Sequence, residues 1–260
     1  MPDVGFPGGC GILVVGHGTT DPVGDGETRR LASAVAAAAG VPVELGFLEL
    51  CTPTIDDGLA RLAARGCREA IAAPLLLFAA GHARRDVPGA IAAASERLGL
   101  AVRQAGVLGS HPCLLHLSHR RRREAADDVE AVAFVVRGAS DPATPAQARE
   151  FLRSTLALDG PEVAAEVGFV AAARPTVDEA LDLLAEGPVG GRAARRVLVQ
   201  PHLLFRGRVE EEVAAAVGRA RQRHPGVEWI VAERLGPAAC VVRALLDRAL
   251  AAALGTTPPA

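Results

Sequence analysis

Short apolar runs alternate with longer amphipathic segments along the first half of the chain. The apolar runs are nearly continuous in Val, Ile, Leu and Ala, and lie at 11–16, 42–47, 70–78 and 100–107. Such runs are typical of parallel strands that are buried on both faces. The other segments carry apolar residues at three- and four-residue spacing, as amphipathic helices do, and lie at 25–39, 54–65, 87–98 and 112–125. This alternation predicts right-handed βαβ units and a parallel α/β sheet.

The second half of the chain repeats the first. VVGHGTTDP corresponds to FVVRGASDP, ELGFLELCTPTIDDGLARL to EVGFVAAARPTVDEALDLL, PLLLF to PHLLF, and VLGSHPCLL to RLGPAACVV. We therefore predict two tandem, duplicated parallel-sheet domains, 1–127 and 128–260, with a ligand cleft between them. We call the two copies the first and the second repeat.

Titratable side chains after the strands distinguish the two repeats. The first repeat carries three histidines and a glutamate where the second carries other residues: His17 becomes Arg137, Glu49 becomes Ala171, His82 becomes Arg208 with a one-residue gap, and His111 becomes Ala238. In open parallel sheets, ligands bind outside the carboxyl ends of the strands. The first repeat is therefore predicted to carry a site, and the second to act as scaffold and as one wall of the cleft.

Each of these residues also has a simpler structural interpretation. A single histidine after a strand often only hydrogen-bonds within its turn, and Glu49 alone could be a surface residue or a helix cap. Their joint loss from the second repeat favours a site for His17, Glu49 and His82, whereas both interpretations stay open for His111. Asp21 and Asp141 precede proline in both repeats, which favours a turn role for them. Thr54 and Asp86 are interpreted as caps of the helices that follow them.

Composition excludes several functional classes. The formal net charge is −2, and all 28 basic residues are arginine. Without lysine, neither Schiff-base catalysis nor a Walker A phosphate loop is possible. The five cysteines form no C-x-x-C pair, no apolar run is long enough to span a bilayer, and the N-terminus lacks the pattern of a signal peptide. We interpret the chain as cytoplasmic, with no nucleic-acid or membrane partner.

Four motifs in order carry a resemblance to a known family. GHGTTDP, ELGFLEL with a proline three residues on, PLLLFAAGHARRDVP and LGSHP together resemble the sirohydrochlorin chelatases, class II tetrapyrrole chelatases of the CbiX/SirB type. The resemblance covers nearly the whole chain, including the duplication. The sequence departs from the family's GPHP-like segment at Ser110, where proline is usual.

The resemblance implies a lyase that inserts cobalt or iron into sirohydrochlorin with release of two protons, in cobalamin or sirohaem biosynthesis. The divalent metal, Co²⁺ or Fe²⁺, would be a substrate, and no organic cofactor is implied. His17, Glu49 and His82 would form the catalytic and metal-binding set. Substrate binding is expected from Gly81, Arg84, Arg85, Ser110, His111, Arg137 and Arg208. Because both repeats lie in one chain, a functional monomer is expected.

Three other interpretations stay open at this point. The protein could be a chelatase for another tetrapyrrole, a non-catalytic tetrapyrrole or metal carrier, or a two-lobed sugar- or nucleotide-binding protein. The absence of a phosphate loop counts against the last of these. The sequence does not choose between cobalt and iron.

Overall fold

A computed structural model describes residues 5–79, 86–158, 163–187 and 193–256. Its first eight elements are β1 (Cys10–Gly16), α1 (Pro22–Ala39), β2 (Val43–Phe47), α2 (Ile55–Ala64), β3 (Glu69–Pro74), α3 (Val87–Leu98), β4 (Ala101–Gln104) and α4 (Pro112–Ala125). The next eight are β5 (Ala131–Val136), α5 (Thr144–Leu156), β6 (Ala164–Phe169), α6 (Val177–Glu186), β7 (Arg196–Pro201), α7 (Arg208–Arg223), β8 (Glu228–Val231) and α8 (Ala239–Ala253). None of the helices in these ranges is both long and apolar enough to cross a bilayer.

The strands form two parallel four-stranded sheets with the same topology. The strand orders are β2-β1-β3-β4 and β6-β5-β7-β8. In the first sheet, Gly16 at the end of β1 lies opposite Phe47 at the end of β2, and Val15 lies opposite Pro74 at the end of β3. The predicted duplicated parallel α/β fold is therefore confirmed. All strands of a sheet end at one edge, which we call its carboxyl edge.

The core of each sheet comes from the continuous apolar runs. Every residue of β1 and of β5 is buried, and α2 packs Leu59 and Leu62 against the first sheet with Leu13 and Ala72. Full burial of one such leucine contributes about 1.5–3 kcal/mol. The alternation of buried runs and amphipathic helices is therefore sufficient to specify these layers.

Three element boundaries differ from those predicted from the sequence. Helix α1 begins at Pro22 and not at 25, because the Asp21 carboxylate accepts hydrogen bonds from the Val23 and Gly24 amides at 2.8 and 2.9 Å and proline is favoured in the first turn. Strand β3 ends at Pro74 and not at 78, and β4 ends at Gln104 and not at 107. The apolar residues after Pro74 lie in the connection that leads towards α3.

Compact units and sequence repeats do not coincide. The first unit comprises residues 1–111 and 237–260, and the second comprises residues 112–236. Helix α8 thus packs in the first unit against α1, β3 and β4, and α4 packs in the second against α5 and β7. The two repeats therefore exchange their last helices between the compact units, whereas 1–127 and 128–260 stay the predicted division of the sequence. Because α4 and α8 bury corresponding positions of the repeat, the positions of their buried residues do not reveal the exchange. The expected ligand cleft stays a prediction.

The exchange can be tested with one leucine from each exchanged helix. Leu245 of α8 and Leu117 of α4 are both almost completely buried, with 1% of each residue exposed. Leu245→Ala and Leu117→Ala should each lower the free energy of unfolding by about 2–5 kcal/mol. Hydrogen exchange should accelerate in β3 and β4 for Leu245→Ala, and in β7 and α5 for Leu117→Ala. If Leu245→Ala instead accelerated exchange in β7 and α5, and Leu117→Ala in β3 and β4, each helix would pack on its own repeat.

A buried histidine in the second unit makes stability depend on pH. His202 is 2% exposed, with its ring centroid 4.9 Å from that of Phe134 and 4.2 Å from that of Phe151. Burial lowers the pKa of His202 to about 3. The unfolded chain therefore binds a proton below pH ~6.5 that the folded chain does not bind, so this part of the stability is present above pH ~6.5 and is lost as pH falls.

The first repeat has leucine, Leu75, at the position that matches His202. We expect His202→Leu to remove an acid-dependent loss of about 1.4 kcal/mol per pH unit between about pH 6 and pH 4. Urea unfolding of both proteins across this range measures the effect. Parallel pH profiles for the two proteins would contradict it.

Candidate functional site

Two loops meet at the carboxyl edge of the first sheet. One follows β1 and carries His17; the other follows β2 and carries Glu49. Beyond the strand ends, the Leu48 amide donates to the Gly16 carbonyl at 2.9 Å, and the Glu49 amide donates to the His17 carbonyl at 3.0 Å. Gly18 has φ +100°, and a Cβ there would overlap the Glu49 carbonyl oxygen. Only glycine permits this close approach of the two backbones.

The loops bring an imidazole and a carboxylate together. His17 Nε2 lies 3.4 Å from Glu49 Oε1, with side-chain exposures of 27% and 52%. His17 Nδ1 lies 3.3 Å from the Gly18 carbonyl oxygen. Half-exposed pairs of this kind contribute at most about 1 kcal/mol to stability. The pair therefore adds little to folding, and both groups stay within reach of a ligand.

The second unit reproduces the loop backbone without these side chains. The Val170 amide donates to the Val136 carbonyl at 3.0 Å, and the Ala171 amide donates to the Arg137 carbonyl at 2.9 Å. Gly138 has φ +81°, and a Cβ there would overlap the Ala171 carbonyl oxygen. The turn thus forms equally well with arginine and alanine, so turn formation does not require His17 and Glu49.

A second pair between the same loops was not anticipated from the sequence. The Cys51 thiol donates to the Thr19 carbonyl at 3.1 Å, and the Thr19 amide donates to Cys51 Sγ at 3.4 Å. The matching residues of the second repeat are Ala139 and Ala173. A comparison of the two repeats could have found this pair, because Thr19 and Cys51 are both replaced in the second repeat, as His17 and Glu49 are.

The helix that follows Glu49 begins with a strong cap. Thr54 and Asp57 form a reciprocal capping box at the start of α2: Thr54 Oγ1 accepts from the Asp57 amide at 3.1 Å, and the Asp57 carboxylate accepts from the Thr54 amide at 2.8 Å. Thr176 and Glu179 repeat the arrangement at α6. The predicted cap at Thr54 is confirmed, and it fixes the far end of the Glu49 loop.

The third member of the predicted set falls outside the described residues. His82, Gly81, Arg84 and Arg85 belong to the segment 80–85 that the structure does not describe. In the described part, His17 lines a small hollow at the carboxyl edge together with Val15, Gly16, Leu48, Leu76 and Val87. Leu76 and Val87 stand before and after His82 in the sequence. Within the described ranges, no group of three or more His, Cys, Asp or Glu residues could hold a metal ion.

His111 lies in the loop that follows β4, within the same unit. Its Nε2 lies 3.4 Å from Asp247 Oδ2, and its side chain is 13% exposed. Burial lowers the pKa of His111, and the nearby carboxylate of Asp247 acts in the opposite direction. Ser110 beside it is half-buried. Asp247 lies in α8, so nothing in the sequence placed it beside His111.

The predicted arginine clamps of the second repeat are both exposed. Arg137 follows β5 directly. Arg208 is the first residue of α7, where its Nε lies 3.2 Å from Glu212 Oε1. Their contact with a substrate stays a prediction.

Other polar residues have structural roles in the described part of the chain. Asp21 caps α1, as described above, and Asp141 Oδ1 accepts from the Ala143 amide at 2.9 Å; the predicted turn roles are confirmed. The prediction that Asp86 caps α3 was wrong, because Asp86 has helical backbone angles and makes no side-chain cap hydrogen bond. His116 Nδ1 lies 2.8 Å from the Pro112 carbonyl oxygen, on an exposed face of α4.

The fold and the His17–Glu49 pair define the class: a duplicated parallel α/β protein in which the first repeat carries the titratable groups. The CbiX family model matches residues 11–125 and again residues 131–252. The chain belongs to the CbiX family.

Named relatives cover most of the chain. A sirohydrochlorin cobaltochelatase of Priestia megaterium is 26% identical over 234 residues, which is 86% of this chain and 74% of the relative. A sirohydrochlorin ferrochelatase of Priestia megaterium is 30% identical over 213 residues, covering 78% and 76%. A solved structure of SirB from Bacillus subtilis with Fe3+ is 25% identical, with a TM-score of 0.78 over 94% of this chain and 95% of that one.

Matched glycine substitutions separate the loop backbone from the site. Gly18→Ala and Gly138→Ala each place a Cβ on a carbonyl oxygen in the left-handed region, so each should lower the free energy of unfolding by at least about 1–3 kcal/mol. Urea unfolding measures this loss. Only Gly18→Ala should shift the NMR signals of the His17 ring, because only that loop carries the histidine. Equal shifts from both variants would contradict the assignment.

Proposed function

We propose that the protein inserts Co²⁺ or Fe²⁺ into sirohydrochlorin and releases two protons. The observation that carries the proposal is the His17–Glu49 pair, 3.4 Å apart on a loop scaffold that the second unit builds without it. Membership of the CbiX family supports the proposal, and so do relatives named sirohydrochlorin cobaltochelatase and sirohydrochlorin ferrochelatase.

The reaction requires a group that takes protons. Insertion of a divalent metal into a free-base tetrapyrrole displaces two N–H protons. An imidazole with an ordinary pKa near ~6.5 accepts protons at neutral pH and also binds first-row divalent metals. The Glu49 carboxylate beside His17 is half-exposed, so it can pass protons between the imidazole and solvent.

The metal, as a substrate, must be held loosely enough to leave. A closed set of four protein ligands retains a metal, whereas a set with open positions exchanges its ligands. His17 and Glu49 supply one nitrogen and one carboxylate. His82, inferred from the sequence, would add a second imidazole and still leave positions open for the pyrrole nitrogens.

Substrate recognition would depend on positive charge, since sirohydrochlorin carries many carboxylates. Arg84 and Arg85 follow His82 closely in the sequence, and Arg137 and Arg208 replace histidines in the second repeat. Arginine presents a planar fork that matches a carboxylate. Gly81, Ser110 and His111 complete the proposed substrate-binding set.

The site belongs to the first repeat in this proposal, and the second repeat serves as its scaffold. We infer a monomeric functional unit, because one chain carries both repeats, and a cytoplasmic location, because five free cysteines are usual in a reducing compartment. Neither nucleic acid nor a membrane is a proposed partner. Light scattering of the purified protein tests the monomer.

An anaerobic absorbance assay with sirohydrochlorin and either Co²⁺ or Fe²⁺ tests the function. Wild type should accelerate the spectral change, and the faster metal indicates the pathway, cobalamin or sirohaem. His17→Ala and Glu49→Ala should each slow the reaction by about 100-fold or more, because each removes a proton-handling group. His82→Ala should do the same.

His116→Ala is the matched control, because it removes an exposed imidazole that lies on α4 beside the Pro112 carbonyl. Its rate should equal that of wild type. If wild type binds sirohydrochlorin and yet never exceeds the uncatalysed rate, the enzyme proposal fails and the protein is a carrier.

A further inference from the structure

We infer that Asp247 is a positioning residue for substrate binding: it orients the His111 ring at the carboxyl edge of the first sheet. The inference rests on the proposed function, since it concerns the side of the site that binds the tetrapyrrole. It gives the last helix of the second repeat a role in the site of the first.

The contact joins a largely buried imidazole to a partly exposed carboxylate. Asp247 Oδ2 lies 3.4 Å from His111 Nε2, with side-chain exposures of 35% and 13%. Arg243, one turn earlier on α8, donates from Nε to the same Asp247 oxygen at 2.9 Å. The carboxylate is thus held by its own helix and faces the imidazole. A carboxylate on one ring nitrogen sets the tautomer and the orientation of the ring.

The neighbouring residue of α8 fixes the other end of the same loop. Arg248 is buried, at 7% exposure, and donates from Nη2 to the Leu108 carbonyl at 3.3 Å. The His111 amide donates to that carbonyl as well, at 3.3 Å. Two consecutive residues of one helix therefore hold both ends of the segment 108–111.

The second unit reproduces the approach of the arginine to the loop glycine, and its matching positions carry no histidine–aspartate pair. Arg121 of α4 matches Arg248, and it approaches Gly236 as Arg248 approaches Gly109: Nη2 would lie 3.9 and 3.7 Å from a Cβ at these glycines. The arginine contact is therefore part of the duplicated scaffold.

The residues that match His111 and Asp247 are Ala238 and Arg120. Arg120 instead pairs with Glu124 on its own helix, with Nε and Oε1 3.5 Å apart. The His111–Asp247 pair therefore occurs in the unit that carries His17 and Glu49, added to a scaffold that does not need it. This is the same asymmetry that singled out the His17–Glu49 pair.

Charges around His111 come from α8 itself. Asp247 favours the protonated ring, and Arg243 and Arg248 disfavour it, as burial does. Removal of the Asp247 charge alone should therefore lower the pKa of His111 further and free the ring to rotate. Loss of one oriented contact should weaken sirohydrochlorin binding and leave the proton-handling pair intact.

The test compares Asp247→Asn with Asp182→Asn. Asp182 is the matched control, because its Oδ1 lies 2.8 Å from His224 Nε2 in the second unit, so the control removes a His–Asp pair outside the proposed site. Asp247→Asn should raise KM for sirohydrochlorin several-fold with kcat unchanged, and should lower the pKa of His111 measured by NMR. Asp182→Asn should change neither quantity, and Asp247→Glu should restore KM in part.

A double-mutant cycle decides whether Asp247 acts through His111. In the His111→Ala background, Asp247→Asn should have no further effect on KM. An equal rise in that background, or an unchanged His111 titration in Asp247→Asn, would overturn the inference.

Equilibrium binding of sirohydrochlorin without metal separates the inference from the proposed function. If wild type binds the tetrapyrrole without inserting metal, the chelatase proposal fails, and a weaker affinity of Asp247→Asn still supports the positioning role. If wild type and Asp247→Asn bind sirohydrochlorin with equal affinity, the positioning role fails, whether or not the protein inserts metal.

Discussion

Parallel pairing of β1 with β2 is the constraint on which the site depends. The register that sets Gly16 opposite Phe47 ends both strands at one level, so that the loops after them must cross side by side. Two amide-to-carbonyl hydrogen bonds continue the pairing past the strands, and a glycine with positive φ allows the backbones to touch. His17 and Glu49 are close together because the strands before them are hydrogen-bonded, and their mutual attraction is a small addition.

Duplication separates scaffold from chemistry within one molecule. Both units contain the crossing loops, the glycine at the crossing, the capping box at the next helix and the arginine that approaches the loop glycine. One unit adds His17 with Glu49, Thr19 with Cys51, and His111 with Asp247. A scaffold that folds with alanine at several of these positions is free to carry titratable groups there at little cost in stability.

Because the repeats exchange their last helices, each compact unit contains residues from both halves of the sequence. Helix α8 belongs to the second repeat and packs in the first unit. Its residues Asp247 and Arg248 contact the loop that carries His111. In the proposed function, a site carried mainly by the first repeat would thus depend on the last helix of the second repeat.

The sequence by itself determined the class of fold, the duplication and the residues that set the repeats apart. These follow from local rules: continuous apolar runs form buried parallel strands, and strand ends present side chains at one edge. Thr54, Asp21 and Asp141 were correctly interpreted for the same reason, because caps and turns depend on neighbours in the chain. Asp86 was not, since the backbone before α3 is already helical there.

Only the tertiary structure decided the unit boundaries, the partner of His111 and the Thr19–Cys51 contact. Helices α4 and α8 bury corresponding positions of the repeat, such as Leu114 and Val241, so the positions of their buried residues do not say which sheet each covers. Asp247 is 136 residues from His111 in the sequence, and no local rule spans that separation. These contacts come from packing between residues that are distant in the sequence. Burial of apolar surface favours any helix whose apolar face packs well against the sheet, whichever repeat that helix belongs to.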